Sequence, residues 1–192
     1  MRKMERFHQV LFVISLLALS WLGMMAVHEF GHVLGAIFTG GSIERVVLHP
    51  LEISRTDVAP NPRPEIVVWL GPVVGCVFPL ALFAAVPRRF TTLRSVARFF
   101  AGFCLIANGA YISFGSFSAV GDCGEMLRTG TPLWAMFCYG AATIPLGFYL
   151  WNGLGTLSNF LKNPFLVTPK TAYVTFGVLI VVVIAEFALF PR

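Results

Sequence analysis

The sequence predicts an all-α polytopic membrane protein, with about five transmembrane helices and a short β-hairpin-like loop between helices one and two. Three observations carry this expectation. Apolar residues fill 57% and charged residues 12% of the 192 positions, and mean hydropathy is +0.79, more apolar than one water-soluble core can absorb. A helix of about 20 residues crosses roughly 30 Å of hydrocarbon, and apolar stretches of that order recur at 7–38, 66–86, 99–121, 133–151 and 173–190. The segment between the first two, Thr39 to Glu65, is polar, carries Gly40, Gly41 and four prolines, and is too short for a soluble domain. The chain therefore reads as one membrane-embedded domain over 1–192, an integral, multi-pass membrane protein (of the cell membrane in a bacterium) with the lipid bilayer as its surroundings.

The first stretch is overlong. Met1 to Arg6 followed by an apolar run is signal-peptide-like, and Ala18-Leu19-Ser20 has the look of a cleavage site. The run continues to Phe38, well past the roughly 7 to 15 residues of a signal h-region, so an uncleaved anchor is expected. In the loop, Ile43 to Leu48 and Leu51 to Ser54 suit two short strands broken at His49-Pro50, and Pro60, Pro62 and Pro64 end any regular ladder. Pro64 suits the first turn of helix two, and Thr131-Pro132 reads as an N-cap and N1 pair opening helix four. Gly31 and Gly35 in helix one, and Gly102, Gly109 and Gly115 in helix three, permit close helix approach. That approach is needed if helix three is to bring its end to helix one.

The net charge of +5 resides mostly in clusters beside the apolar stretches. Basic side chains there meet lipid headgroups and set topology, so nucleic acid is not an expected partner. With five spans, Arg2, Lys3, Arg6, Arg88, Arg89, Arg94, Arg98, Lys162 and Lys170 share the side of the N-terminus, against Arg45, Arg55, Arg63, Arg128 and Arg192 on the other. Nine against five puts the N-terminus in the cytoplasm. Cys76, Cys104, Cys123 and Cys138 form no CxxC pair, which indicates neither a disulfide framework nor a thiolate cluster.

The chemistry concentrates in His28-Glu29-Phe30-Gly31-His32, an HExxH pentapeptide inside an apolar helix. Four residues advance an α-helix by about 400°, so His28 and His32 project from nearly one face, as two imidazole ligands of one Zn²⁺ require. Glu29 lies just around the helix, where its carboxylate can take a proton from a water at the metal, the general-base role. The bland alternative is a chance pentapeptide whose histidines bond other helices. Against it, each ionisable residue at the bilayer centre costs on the order of 2.5 to 3.5 kcal/mol, and three within five positions call for a metal or a water cavity. Two histidines on one face cannot bracket a haem plane.

A third protein ligand is needed, and Asp122 has the matching depth. Counted from Arg6 and Arg98 at one interface, 22 residues to His28 and 24 to Asp122 give rises of roughly 33 and 36 Å at about 1.5 Å each. The competing role for Asp122 is an N-cap on a short helix from Cys123 to Thr129. Glu125 is the reserve ligand. His8, in the first turn, and His49, in the loop, read as interfacial or solvated side chains rather than ligands.

With these residues assembled, the chain resembles the site-2 protease family, membrane-embedded zinc metallopeptidases that cut substrates within or beside their transmembrane helices. His28 to His32 matches the family's HExxH in a membrane helix, Leu70-Gly71-Pro72 is similar to its recurrent Gly-Pro, and Asp122 with Gly124 and Leu127 is similar to its late Asp-Gly segment. Cys123 replaces the glycine that usually follows the aspartate. Phe114, Phe117 and Val120 stand where the family places an asparagine and prolines, and Asn108 lies further back, so that its equivalence to that asparagine is open.

The resemblance implies Zn²⁺ held by His28, His32 and Asp122, Glu29 as the base, and a transmembrane protein as substrate. It further implies that the loop from Gly41 to Ser54 offers an edge strand to an unwound substrate segment, where the other reading is a surface hairpin capping the bundle. Members usually hold zinc toward the cytosol, opposite to the charge count, so orientation stays open. Two alternatives remain: a catalytically inactive zinc-binding membrane chaperone or scaffold, and the other membrane HExxH proteases, whose third ligand is a downstream glutamate, here Glu125.

Overall fold

A computed structural model describes residues 2–155 and 167–191. Its elements are α1 (Arg2–Thr39), β1 (Ile43–Val47), β2 (Arg55–Val58), α2 (Pro64–Ala85), α3 (Thr91–Gly115), α4 (Asp122–Arg128), α5 (Leu133–Asn152) and, last in the chain, α6 (Pro169–Leu189). Five helices, α1, α2, α3, α5 and α6, are long and apolar enough to cross a membrane, and β1 and β2 form an antiparallel hairpin between the first two. Lys162 and Arg192 of the basic count, and the middle of the connection after α5, lie outside the described residues.

The element boundaries correct the apolarity reading in three places. Helix three runs from Thr91 to Gly115 rather than 99–121. It starts earlier because Arg94 and Arg98 do not end it: Arg94 donates to the carbonyl of Val86 at 2.6 Å, Arg98 to that of Leu150 at 2.7 Å, and Arg94 lies over the Phe83 ring. It stops earlier because the chain tightens after Gly115 (Ser118 N–H to Gly115 O, 3.1 Å) and reverses through positive φ at Ala119 (50°) and Gly121 (59°). Apolar Phe117 and Val120 hide this turn from a hydropathy reading, and both are exposed.

The second strand is Arg55–Val58, not Leu51–Ser54. Val47 pairs with Arg55, and 48–54 are used by the loop, where Glu52 N–H closes on His49 O at 3.0 Å and Leu51 N–H donates to His49 Nδ1 at 3.3 Å. The ladder ends at Val58, ahead of Pro60, as proline spacing requires. At α5, Pro132 is the N-cap rather than N1, and the Thr131 hydroxyl accepts from the Trp69 indole at 3.0 Å instead of capping. Pro64 does open α2.

In lipid the helices gain little from hydrophobicity between themselves and associate through close packing. At the α1–α2 contact backbone meets backbone: a Cβ on Gly31 would lie 2.3 Å from the Leu70 carbonyl oxygen, and one on Gly35 2.9 Å from Val67 Cα. The glycines of helix three do a different job from the one expected. Gly102 and Gly109 face Trp151, Thr143 and Ile144 of α5, and Gly115 backs onto Cys123, so α3 is zipped to α5 rather than to α1. A buried cluster of Val68, Ile112, Cys123, Met126 and Met136 then ties α4 to α2, α3 and α5.

Of the interfacial or solvated placement expected for His8 of α1 and His49 of the hairpin loop, solvation is excluded, since they are 7% and 3% exposed. Each is covered by an edge-on aromatic ring of α6, His8 by Tyr173 and His49 by Phe187.

Gly31→Ala is expected to destabilise the protein by about 1 to 3 kcal/mol, because backbone atoms cannot yield to the added methyl. Gly177→Ala, with nothing within 4 Å of its Cβ, is expected to be neutral. Thermal denaturation of the two variants in one detergent checks the contrast.

Candidate metal centre

The i, i+4 spacing in α1 sets the His28 and His32 rings 4.8 Å apart, centroid to centroid. Both residues are 6% exposed. The third residue arrives from the start of α4. Asp122 is the first residue of that helix, Gly121 occupies the N-cap position, and no side chain caps the helix, so the N-cap role expected as an alternative is not the one Asp122 takes. Its carboxylate turns to α1, with Oδ2 2.7 Å from His28 Nε2 and 3.4 Å from His32 Nε2. One ligand atom from each of the three residues lies within 4.8 Å of the others, a group that could hold a metal ion.

The outer nitrogen of each ring decides what the inner one can do. His28 Nδ1 donates to Asn108 Oδ1 at 2.7 Å. The amide cannot be flipped without loss, since Asn108 Nδ2 donates to the Cys104 carbonyl at 2.9 Å. His32 Nδ1 donates to the Val67 carbonyl at 2.8 Å. Each ring thus carries its Nδ1 proton, and each neutral ring presents an Nε2 lone pair to the same carboxylate oxygen. Three electron-rich atoms facing one another need positive charge between them, either a proton on each ring or a cation. Two buried imidazolium ions are the costlier solution, whereas two imidazole nitrogens and one carboxylate oxygen are a standard donor set for a divalent metal. The hydrogen bonds at Nδ1 are the outer partners that metal-ligating histidines normally have.

Burial alone would raise the Asp122 carboxyl, but without a metal the two rings in their protonated form donate to it, which outweighs burial and holds Asp122 well below the usual carboxylate range. Its backbone N–H donates to the Tyr111 hydroxyl at 3.1 Å. The neighbouring Cys123 thiol is pushed up to about 11, first by burial and then by the Asp122 charge, so it stays protonated and packs in the cluster beneath α4.

Glu29, 3% exposed, lies beside the triad and accepts from the Thr56 hydroxyl of β2, with Oε2 at 2.8 Å. Glu125 is on the wall of the same cavity but is paired with Arg128 and is not one of the three converging residues. The cavity, about 1160 Å³, is bounded by α1 on one side (Trp21, Met24, Met25), by the hairpin from Glu44 to Val58, and by α3 and α4 on the other.

The sequence reading names Gly71 and Asn108 only for their likeness to a family pattern and misses them, with Gly75, as supports of the site. A Cβ on Gly71 would lie 2.3 Å from the His32 ring and one on Gly75 2.9 Å from the Asn108 amide, so α2 serves as a backbone shelf for both. The Gly71-x₃-Gly75 spacing was a visible signal for this, and a lone asparagine in an apolar helix was a visible signal for Asn108. Asn108 orients a histidine here. No family model matches the chain, and no curated protein or solved structure does so either.

Asn108→Ala is expected to weaken metal binding on the order of 10- to 100-fold, by freeing the His28 ring. Gly71→Ala is expected to do the same by displacing His32. Competition against a chromogenic chelator for zinc measures both.

Proposed function

We propose that the protein is an intramembrane zinc metalloprotease, hydrolysing peptide bonds of membrane-protein substrates within or near their transmembrane segments. The observation that carries this reading is the convergence of His28, His32 and Asp122 at one point, in a cavity that also holds the Glu29 carboxylate. Three protein ligands are the number that catalytic zinc sites use while keeping a position open. A bound Zn²⁺ would supply Lewis acidity, polarising a peptide carbonyl and making a water more acidic.

The chain's own residues divide the remaining work. Asn108 and the Val67 carbonyl hold the imidazoles in the tautomer that presents Nε2. Asp122 contributes negative charge, which a dication needs for its stability in a membrane-depth site. Glu29 takes a proton from the attacking water and returns it to the leaving amine, with no covalent intermediate on the protein. The hairpin offers extended backbone beside the cavity, to which an unwound substrate segment adds as a further strand. Trp21, Met24 and Met25 give that segment an apolar wall.

Zinc content and turnover test the reading together on the full chain in detergent, with a quenched single-span peptide containing a helix-breaking segment as the probe. Near-unit zinc is expected in the parent, lost in His28→Ala, His32→Ala and Asp122→Ala, and retained in Glu125→Ala. Glu29→Gln is expected to keep zinc and to lose cleavage by at least about 100-fold, the usual weight of general acid–base catalysis. Zinc without cleavage of any single-span probe favours the inactive zinc-binding scaffold; no zinc after loading sinks both.

A further inference from the structure

Glu29 is a carboxylate buried at 3% exposure in an apolar helix, a placement that requires a donor. The donor comes from outside the helix bundle. Thr56 sits in the middle of β2, paired with Val46 of β1. Side chains alternate across a strand, and the flanking Arg55 and Asp57 share the other face, where they bond one another at 3.4 Å. Thr56 is thereby left facing α1, and its hydroxyl reaches Glu29 Oε2 at 2.8 Å and the Glu29 carbonyl at 3.4 Å. The hairpin to which Thr56 belongs forms one wall of the cavity that contains the metal group.

We infer that Thr56 is a positioning residue, which orients the Glu29 carboxylate and fastens the β-hairpin across the metal group. The inference rests on the zinc reading of His28, His32 and Asp122 given above. A carboxylate has two oxygens, so a hydroxyl donating to Oε2 leaves Oε1 for a water proton. The same bond joins β2 to α1, so lifting the hairpin from α1, which would widen the way to the triad, breaks it. Local openings of this kind are governed by the few interactions that must break. A hydrogen bond to a charged acceptor is among the stronger of these.

The experiment needs no substrate. Full-length parent, Thr56→Val, Thr56→Ser, Glu29→Ala and the Glu29→Ala/Thr56→Val double variant are loaded with zinc in detergent, and zinc release to excess EDTA is timed. Thr56→Val is expected to begin with parental zinc content and to release it about tenfold faster, while Thr56→Ser, which keeps the hydroxyl, stays within about twofold of the parent. In the Glu29→Ala background Thr56→Val is expected to add nothing, because the acceptor is gone. The inference is overturned by parental release from Thr56→Val, by Thr56→Ser behaving like Thr56→Val, or by an undiminished effect of Thr56→Val without Glu29. A parent that takes up no zinc overturns the metalloprotease reading and this inference with it. A parent that holds zinc while Thr56→Val releases it normally overturns this inference alone.

Discussion

Helices α1 and α2 meet at backbone distance where Gly31 faces the Leu70 carbonyl, and the site is built on that contact. With any side chain at Gly31 the helices would stand further apart. The His32 ring rests on Gly71 and bonds the Val67 carbonyl, both on the face of α2 that this approach brings near. One turn along, Gly75 lets the Asn108 amide pass over α2 to reach His28. A glycine shelf on a middle helix thus serves two polar side chains from its two neighbours.

Polar groups buried in a protein need partners there, and the network here is closed accordingly. Each histidine has a protein acceptor at its outer nitrogen, Asn108 spends its own donor within α3, and Glu29 has the Thr56 hydroxyl. The inner nitrogens and the Asp122 oxygen are left facing one another, a geometry that becomes favourable when positive charge lies between them. Asp122 can be there because α4 is anchored from below: Cys123 and Met126 are fully buried among residues of α2, α3 and α5.

Much of this was legible in the sequence, for identifiable reasons. Five apolar stretches of spanning length are a composition signal that needs no tertiary information, and the prolines at 60, 62 and 64 marked the end of the hairpin ladder and the start of α2. The HExxH spacing put His28 and His32 on one helix face by helical geometry alone, and counting the rise pointed to Asp122 beside them, although α3 ends at Gly115 and the chain reaches Asp122 through a turn rather than a continuous helix. The errors fell where apolarity and conformation part company: Phe117 and Val120 are apolar yet lie in a turn set by positive φ, and Leu51 to Ser54 look strand-like yet form the loop that lets Arg55 pair with Val47. The burial of His8 and His49, expected to be interfacial or solvated, was hidden because the aromatic rings of α6 that cover them lie more than 100 residues away.

By itself, then, the sequence determined what local periodicity and length can determine: which segments are helices, that His28 and His32 share a face, and that Glu29 lies beside them. Tertiary structure alone decided which atoms face one another. Thr56 against Glu29 depends on how the hairpin folds back onto α1, while Asn108 against His28, Val67 against His32 and α3 against α5 depend on how far apart helix axes lie. That distance is set by which glycine meets which neighbour, a pairing between distant residues that no local pattern encodes.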